Sequence, residues 1–359
     1  MTPRDSSPAV GTPGEPGRWR RAKAGARVEG HSRGFADARW SFLYEGDTTY
    51  TREGEPTASL PASAGELPDV VQGPVIKPAV WTWEVPLYLW FGGIASGASF
   101  AALASDLAGD RRSARIARMV ALVAVAPCPP LLVSDLGRPA RFLNMLRIFK
   151  PRSPMSTGAW ALTAFGNLAG MAVTADLVGR ARAARLLGAG TAAVGSYLGS
   201  YTGVLLASTA VPVWARSRLL LGPIFVATAA ATGAAATRLA LVASGTPDGH
   251  PTRAALTRIE TGAMAVELGL SELCERRLGP LAAPTREGGA GRLFKLGKGT
   301  IAAGLGLAAA RRALGPAAQH AASGLFLAGG LALRYAWVAA GRASARDDRA
   351  VAALARAKK

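Results

Sequence analysis

The sequence predicts an all-α, polytopic membrane protein with about eight transmembrane helices, arranged as two four-helix bundles and preceded by a disordered N-terminal tail. Half of the 359 residues are hydrophobic and only 18% are charged. The hydrophobic residues form long uncharged runs, which are typical of membrane spans. The chain also contains 43 glycines, and small residues allow helices to approach closely in lipid.

The N-terminal segment, residues 1–73, is rich in Gly, Pro, Ser and Arg. It contains no apolar stretch long enough for a signal peptide, so we expect a disordered basic tail. Within it, RWSFLYEGDTTY (39–50) carries four aromatic residues. This stretch is either a peptide that docks on a partner subunit or a segment whose aromatic residues have no role.

The apolar runs indicate where the helices lie. Spans are expected at residues 84–107, 116–135, 158–178, 183–210, 219–241, 257–274, 300–310 and 321–340. The seventh is the weakest, because only 300–310 is apolar. Gly93 and Gly97 in the first span form a small-residue face that predicts a tight helix contact.

Two acidic residues in the sixth span, Glu260 and Glu267, are seven positions apart and therefore share one helix face. They either extend a proton path or pair with Arg238 or Arg334 of other spans. The structural interpretation, as ion-pair partners, is the favoured one.

The net charge of +19 raises the question of nucleic-acid binding. Its carriers lie in loops and tails between apolar spans, so anionic lipid and a cytoplasmic loop orientation explain it better. Near the spans, 20 Lys and Arg residues lie on the side of the N-terminus and 12 on the other. This bias predicts that both termini are cytoplasmic, and that the basic C-terminal tail (345–359) is on the same side.

Few metal-ligating residues are present. The two cysteines, Cys128 and Cys274, cannot supply the four thiolates of an iron–sulfur cluster and form no zinc pattern. The three histidines, His31, His250 and His320, lie in loops or at a span edge, not in the helix interiors where axial haem ligands are needed. We therefore expect no haem and no iron–sulfur cluster in this chain.

The chain is organised around residues 127–160, PCPPLLVSDLGRPARFLNMLRIFKPRSPMSTGAW. Polar and charged groups between two membrane-length segments are costly unless they line a cavity or an interface. A basic loop that reaches lipid headgroups is the alternative. This stretch, with residues 74–99 and 196–214, resembles the NrfD/polysulfide reductase membrane-subunit (PsrC-like) family. The resemblance is specific from 74 to 214 and diffuse beyond it.

The resemblance implies a quinone pocket in the first four-helix bundle (74–214), ahead of a second bundle (215–344). It points to Asp135 and Arg138 of the DLGRP motif and to Tyr201 of the YTG motif, while Glu84 stands in the WxWEVPLY segment. Alternatively, Asp135 caps a turn and pairs with Arg138 or Arg141, and Tyr201 only anchors at the membrane interface.

A quinone needs an apolar slot, polar groups at its two carbonyls and a proton route to solvent. Glu84 and Asp135 would lie at the same membrane face if the first two spans are antiparallel. We expect Asp135, Glu84 and Tyr201 to take part in the chemistry. The quinone contacts are expected from Tyr88, Asp135, Arg138, Arg141, Asn144 and Tyr201.

The sequence thus predicts a multi-pass subunit of the inner (cytoplasmic) membrane that passes electrons between an iron–sulfur partner and a non-covalently bound quinone, either menaquinone or ubiquinone. The resemblance implies two partners, a four-cluster ferredoxin-like iron–sulfur subunit and a molybdopterin catalytic subunit. The alternatives are a proton-translocating or transporter-like module and a bare membrane anchor.

We predict that a reporter fused to the C-terminus gives a cytoplasmic signal and that one inserted near Arg111 gives a periplasmic signal. The reason is the excess of basic residues on the side of the termini. A periplasmic signal from the C-terminus would contradict this topology, or would show that the seventh segment does not span.

Overall fold

A computed structural model of the chain describes residues 76, 79–135, 146–348 and 351–352. Within these residues the structure is helical and contains no strand, so the all-α prediction is confirmed. The tail 1–73, most of 345–359 and three expected site residues, Arg138, Arg141 and Asn144, lie outside the described residues.

Eight long helices make up most of the described part of the chain, with short helices between some of them. In chain order the helices are α1 (Glu84–Leu107), α2 (Arg111–Val125), α3 (Cys128–Asp135), α4 (Pro154–Leu177), α5 (Ala181–Ala207), α6 (Pro212–Arg216), α7 (Arg218–Ala243), α8 (Pro251–Leu278), α9 (Ala283–Arg286), α10 (Gly288–Leu314) and α11 (Pro316–Ala345). A 3-10 turn, Gly279–Ala282, joins α8 to α9.

Four helical segments in the described residues are long and apolar enough to cross a membrane. They are α1, the segment Arg111–Asp135 that contains α2 and α3, α7 and α11. These segments correspond to the first, second, fifth and eighth expected spans. The other expected spans correspond to the long helices α4, α5, α8 and α10, which do not reach that apolar content. The arrangement of eight spans in two bundles is therefore not confirmed.

The seventh expected segment forms a helix of 27 residues, far longer than its apolar stretch 300–310. Packing against α11 explains the extension. Phe294 meets Trp337 edge to face, with ring centroids 5.1 Å apart, and Gly304 lies against the ring of Phe326. Tertiary contact thus stabilises a helix over residues that are too polar for the sequence to indicate a membrane span.

Two helix hairpins repeat at an interval of 70 residues. Helices α1 and α4 begin and end at equivalent positions, and α2 and α5 begin at equivalent positions. The turns DLAGDRRSAR (106–115) and DLVGRARAAR (176–185) are identical at six of ten positions. In each, a glycine, Gly109 or Gly179, has a φ of 77°, a left-handed conformation that closes the helix end.

The tightest helix contact lies between α1 and α7. A Cβ added at Gly97 would lie 2.1 Å from the carbonyl oxygen of Ala229, and one added at Gly233 would lie 2.4 Å from the Cα of Gly97. Gly93 is also in contact with Ala229, at an ordinary van der Waals distance. The small-residue face predicted from Gly93 and Gly97 is confirmed, since both contact α7 and at Gly97 only glycine permits the approach.

Helix α7 lies at the centre of the bundle, where it packs against α1, α5, α8 and α11. The turns α1–α2, α4–α5, α7–α8 and α10–α11 lie at one end, here the Gly109 end. At this end Arg112 donates to the carbonyl of Ser244 at 2.7 Å. At the opposite end, here the Glu84 end, α1 begins and α3 ends.

One carboxylate, Asp110, ties two turns of the Gly109 end together. It caps α2 by accepting from the Ser113 N–H at 3.1 Å, and it accepts from the Thr252 hydroxyl at 2.5 Å. Burial alone would raise the pKa of Asp110, but these hydrogen bonds and the nearby His250 outweigh it and lower the pKa.

We predict that Asp110→Asn lowers the melting temperature at pH 7 and that the difference from wild type disappears in acid. Asn still caps the helix, so the loss reports the carboxylate charge. A lowered folded-state pKa stabilises above the unfolded pKa of about 3.9, and this stabilisation is lost as pH falls through the folded value. Thermal unfolding in detergent between pH 7 and pH 3 tests this. A difference that persists unchanged to pH 3 would contradict it.

Candidate functional site

The two carboxylates expected at the site, Glu84 and Asp135, are brought together at the Glu84 end. Glu84 is the first residue of α1 and Asp135 the last of α3, and their charges are close enough to repel each other. Both are half-buried. The Thr82 hydroxyl donates to Glu84, which holds that carboxylate at the start of its helix.

Next to these acids is a cluster of three tyrosines. Tyr88, one turn after Glu84, is buried and lies within electrostatic range of Tyr201 and Tyr197. Tyr201 stacks on Tyr197, with ring centroids 5.5 Å apart. Spacing places these two tyrosines one turn apart on α5, on the same face.

Burial separates the roles of the two α5 tyrosines. Tyr201 is 4% exposed, whereas Tyr197 is 42% exposed and donates to the Thr157 hydroxyl at 2.7 Å. The Tyr201 ring therefore lies inside the bundle, and its alternative role as an anchor at the membrane interface stays a prediction. Tyr197 has the half-exposed position and the polar partner expected of such an anchor.

Gly158 makes room for the Tyr201 ring. A Cβ added there would lie 2.1 Å from the Tyr201 Cζ and 2.2 Å from its hydroxyl oxygen. Sequence reasoning missed Gly158 and Thr157 as parts of this site. The sequence does contain two motifs at these positions, STG near the start of α4 and YLGSYTG on α5. Only the fold shows that the two motifs are in contact.

Cys128 lies beside the tyrosine cluster, with its Sγ 3.9 Å from the Tyr88 carbonyl oxygen. Its side chain is buried, as expected for an unreactive thiol. Arg138, Arg141 and Asn144, the remaining expected contacts, lie outside the described residues. The described part of the site thus consists of two acids, three tyrosines and the small residue Gly158. The acids and the tyrosine hydroxyls are able to donate hydrogen bonds and exchange protons.

An apolar groove in the described residues lies elsewhere. It has a volume of about 590 Å³ and is lined by α1, α5, α7 and α8, including Gly97, Phe100, Leu107, Ala229 and Ile259. None of Glu84, Tyr88, Asp135 or Tyr201 lines it. Its walls are mostly apolar and contain no titratable side chain, so the groove suits a hydrocarbon chain better than a group that exchanges protons.

A second group of buried ionisable residues crosses α7, α8 and α11. Arg238 pairs with Glu260 through Nε and Oε1 at 3.0 Å. The Ser323 hydroxyl lies 2.7 Å from Glu260 Oε2, and the Gln319 amide donates to Oε1 at 2.7 Å. The favoured interpretation, an ion pair with Arg238 or Arg334, is confirmed for Glu260, whose partner is Arg238 and whose carboxylate is hydrogen-bonded on three sides.

Glu267, two turns further along α8, has a less complete environment. It accepts from the Ser271 hydroxyl at 3.0 Å through Oε1, while its Oε2 has no hydrogen-bond partner among the described residues. Arg334 lies within electrostatic range but donates to the Phe225 carbonyl at 3.1 Å and stacks on the Phe225 ring. The Arg334 Nε and Nη1 likewise lack partners in the described structure, so water has polar groups to bind here.

A third buried ionic cluster, missed by sequence reasoning, joins the two repeated hairpins. Arg118 contacts Asp106 at 2.5 Å and holds Asp176 with Nε at 2.6 Å and Nη2 at 3.0 Å. Gly188, seventy positions after Arg118, leaves space for the arginine side chain. The signal was the repeat itself, because Asp106 and Asp176 occupy equivalent positions in the two turns.

No group of three or more His, Cys, Asp or Glu residues in the described ranges is arranged to hold a metal ion.

Comparison with known proteins adds one finding. The family model described as polysulphide reductase, NrfD, matches residues 75–271, more than half of the chain. Members of that family are membrane subunits of quinone-linked oxidoreductases. No curated protein matches the chain.

We predict that Glu260→Gln destabilises the protein far more than Glu267→Gln. Removal of Glu260 leaves Arg238 buried without a counter-charge, which costs about 3–5 kcal/mol. Glu267 forms no ion pair within the described residues, so its neutral replacement should cost under about 1 kcal/mol by the same reasoning. Thermal unfolding of the two variants in detergent measures the difference. Equal losses would show that Arg238 and Glu260 do not act as a pair.

Proposed function

Because this chain belongs to the NrfD family, we propose that it is the quinone-reactive membrane subunit of a multi-subunit oxidoreductase. It passes electrons between an iron–sulfur partner subunit and a membrane quinone, menaquinone or ubiquinone. The partners proposed are a four-cluster ferredoxin-like subunit and a molybdopterin catalytic subunit, in the inner membrane. The family match supports the membrane-subunit role, and the tyrosine–carboxylate cluster supports the quinone role.

The single observation that carries the quinone proposal is the juxtaposition at the Glu84 end. Tyr88 and Tyr201 bring two buried phenols together from α1 and α5, and Glu84 and Asp135 lie at the same end. A quinone bound there would supply a two-electron, two-proton redox centre. The residue types fit it, because phenols donate hydrogen bonds to carbonyl oxygens and the aromatic rings provide apolar contact.

In this proposal the chain's own residues have distinct tasks. Tyr88 and Tyr201 orient a carbonyl oxygen by donating hydrogen bonds in a water-poor site. Asp135 and Glu84 supply carboxylates, the residue type that takes up and releases a proton in acid–base chemistry. Because both acids are only half-buried, they can exchange that proton with solvent. Arg138, Arg141 and Asn144 remain proposed contacts from the adjoining loop.

The proposed membrane arrangement has eight spans in two four-helix bundles, with the quinone site in the first, at 74–214. Both termini and the Glu84 end would face the cytoplasm. The turns α1–α2, α4–α5, α7–α8 and α10–α11 share the Gly109 end, as an alternating up-and-down path requires. The basic tails would then meet the anionic cytoplasmic leaflet.

The second candidate function is proton translocation without quinone chemistry in this chain. The observation that favours it is the incomplete hydrogen bonding of Glu267 and Arg334 inside the bundle. Ionisable residues buried at membrane depth are costly and often mark ion pathways. A bare membrane anchor, the third possibility, explains neither this pair nor the tyrosine cluster.

We predict that Asp135→Asn lowers quinone-dependent turnover by about a hundredfold or more, the usual effect of losing an acid–base group. Assembly should survive, because Asn retains most of the local hydrogen bonds. Turnover is normalised to intact complex, with Tyr201→Phe measured beside it. Glu272→Gln, which removes an exposed acid on α8, is the control and should behave as wild type.

The same measurement separates the alternatives. Near-normal turnover per assembled complex in Asp135→Asn, together with a reduced yield of complex, would make Asp135 a salt-bridge residue and remove it from the site. If quinone turnover stays normal in both site variants but Glu267→Gln abolishes proton movement in proteoliposomes, the translocation function is supported instead.

A further inference from the structure

A strongly basic pocket lies between the two repeated turns at the Gly109 end, on the opposite end of the bundle from the proposed quinone site. Its volume is about 270 Å³, and it is lined by Asp106, Arg111, Arg112, Arg115, Arg118, Asp176, Ala181 and Arg185. We propose that this pocket binds the phosphate group of an anionic phospholipid headgroup.

The charges in the pocket are unbalanced. Arg118 is saturated by Asp106 and Asp176, to which it donates three hydrogen bonds. The five arginines and two aspartates of the lining together give the pocket a net charge of +3. Within the described residues no carboxylate pairs with Arg111, Arg115 or Arg185. Guanidinium groups bind phosphate oxygens in bidentate geometry, so this set suits an oxyanion.

The backbone adds to this preference at one helix end. Arg180 precedes α5 without a side-chain cap, and Ala181, the first residue of the helix, lines the pocket. The unpaired N–H groups of a helix start carry partial positive charge and favour anions. The equivalent start of α2 is capped by Asp110, so the two halves of the repeat differ at this point.

The surroundings favour a lipid over a soluble anion. Exposed aliphatic side chains flank the pocket on both turns: Leu107 (81% exposed), Leu177 (61%), Val178 (62%) and Leu186 (76%). Two of them, Leu107 and Leu177, occupy equivalent positions of the repeat. A basic pocket beside exposed apolar residues at the end of candidate membrane spans matches a headgroup with its acyl chains alongside.

The repeat explains how the pocket arises. Arg115 and Arg185 are equivalent positions of the two turns, and the Arg118 cluster with Asp106 and Asp176 holds the turns together. Each hairpin therefore contributes an arginine from the fifth position of its second helix. The first hairpin supplies most of the positive charge, and the second completes the wall of the pocket with Ala181 and Arg185.

The test uses the full-length protein purified in detergent and measures lipid-dependent thermal shifts and dissociation constants by native mass spectrometry. The lipids are dioleoyl phosphatidylglycerol and, as the zwitterionic comparison, dioleoyl phosphatidylcholine. We expect selective binding of phosphatidylglycerol. The double variant Arg115→Gln/Arg185→Gln should weaken that binding about twenty-five-fold, at roughly fivefold for each arginine. These side chains are exposed, so the fold should be retained.

A matched control removes the same charge elsewhere. Arg216 and Arg218 are exposed at the junction of α6 and α7 and do not line the pocket, so Arg216→Gln/Arg218→Gln should leave phosphatidylglycerol binding within about twofold of wild type, as expected for distant, screened surface charges. An equal loss in both double variants would overturn the pocket assignment, as would equal binding of both lipids. A separate arm titrates inorganic phosphate. If phosphate alone reproduces the stabilisation, the ligand is a free anion and the lipid assignment is wrong.

Discussion

The backbone contact between α1 and α7 is the constraint on which the arrangement of the other helices depends. At Gly97 and Gly233 the two helices approach so closely that a single methyl group on either would overlap the partner's backbone. Lipid provides no hydrophobic drive for helices to associate, so such packing and buried hydrogen bonds must hold them together. Since α7 also packs against α5, α8 and α11, its position relative to α1 determines where both halves of the chain lie.

The same contact accounts for the geometry of the tyrosine cluster. With α1 held against α7, α5 fits into the remaining space, where the Ser96 hydroxyl donates to the Gly195 carbonyl at 2.7 Å. A Cβ added at Gly203 of α5 would lie 2.6 Å from the carbonyl oxygen of Leu221 on α7. These contacts bring Tyr201 to the depth of Tyr88, so glycines far from the acids determine which phenols accompany them.

Buried charged side chains have complete sets of partners in some parts of the bundle and incomplete ones in others. Arg118 and Arg238 are each matched by acids and saturated by hydrogen bonds, which stabilises them in a low-dielectric interior. Arg334 and Glu267 are buried but not directly paired, and each has a polar atom without a partner in the described structure. The first two clusters therefore have the character of structural ties, while the third retains polar groups that are free to bind water or a proton carrier.

Much of the fold could be predicted from the sequence, because long apolar runs indicate membrane helices. All eight expected segments are helical, and the bounds of α1 match its expected span, 84–107. Local chemistry also predicted the tight face at Gly93 and Gly97, and it favoured an ion pair of Glu260 with Arg238 or Arg334, of which the structure has the first. The N-terminal tail and the arginines of the DLGRP loop lie outside the described residues, so their expected roles stay predictions.

Tertiary structure decided what spacing could not express. The length of α10 depends on its packing against side chains of α11. The composition of α10 alone therefore predicted too short a helix. Tyr201 and Tyr197 have the same residue type one turn apart, yet only the packing against Gly158 makes the first buried and leaves the second half-exposed. The Arg118 cluster and the basic pocket require residues 70 positions apart to meet at one end of the bundle. The sequence by itself determines which segments are helical and which residues carry charge, because both follow from local composition. Helix packing decides which of those charged residues become neighbours, because long-range contacts depend on the shapes of several helices together.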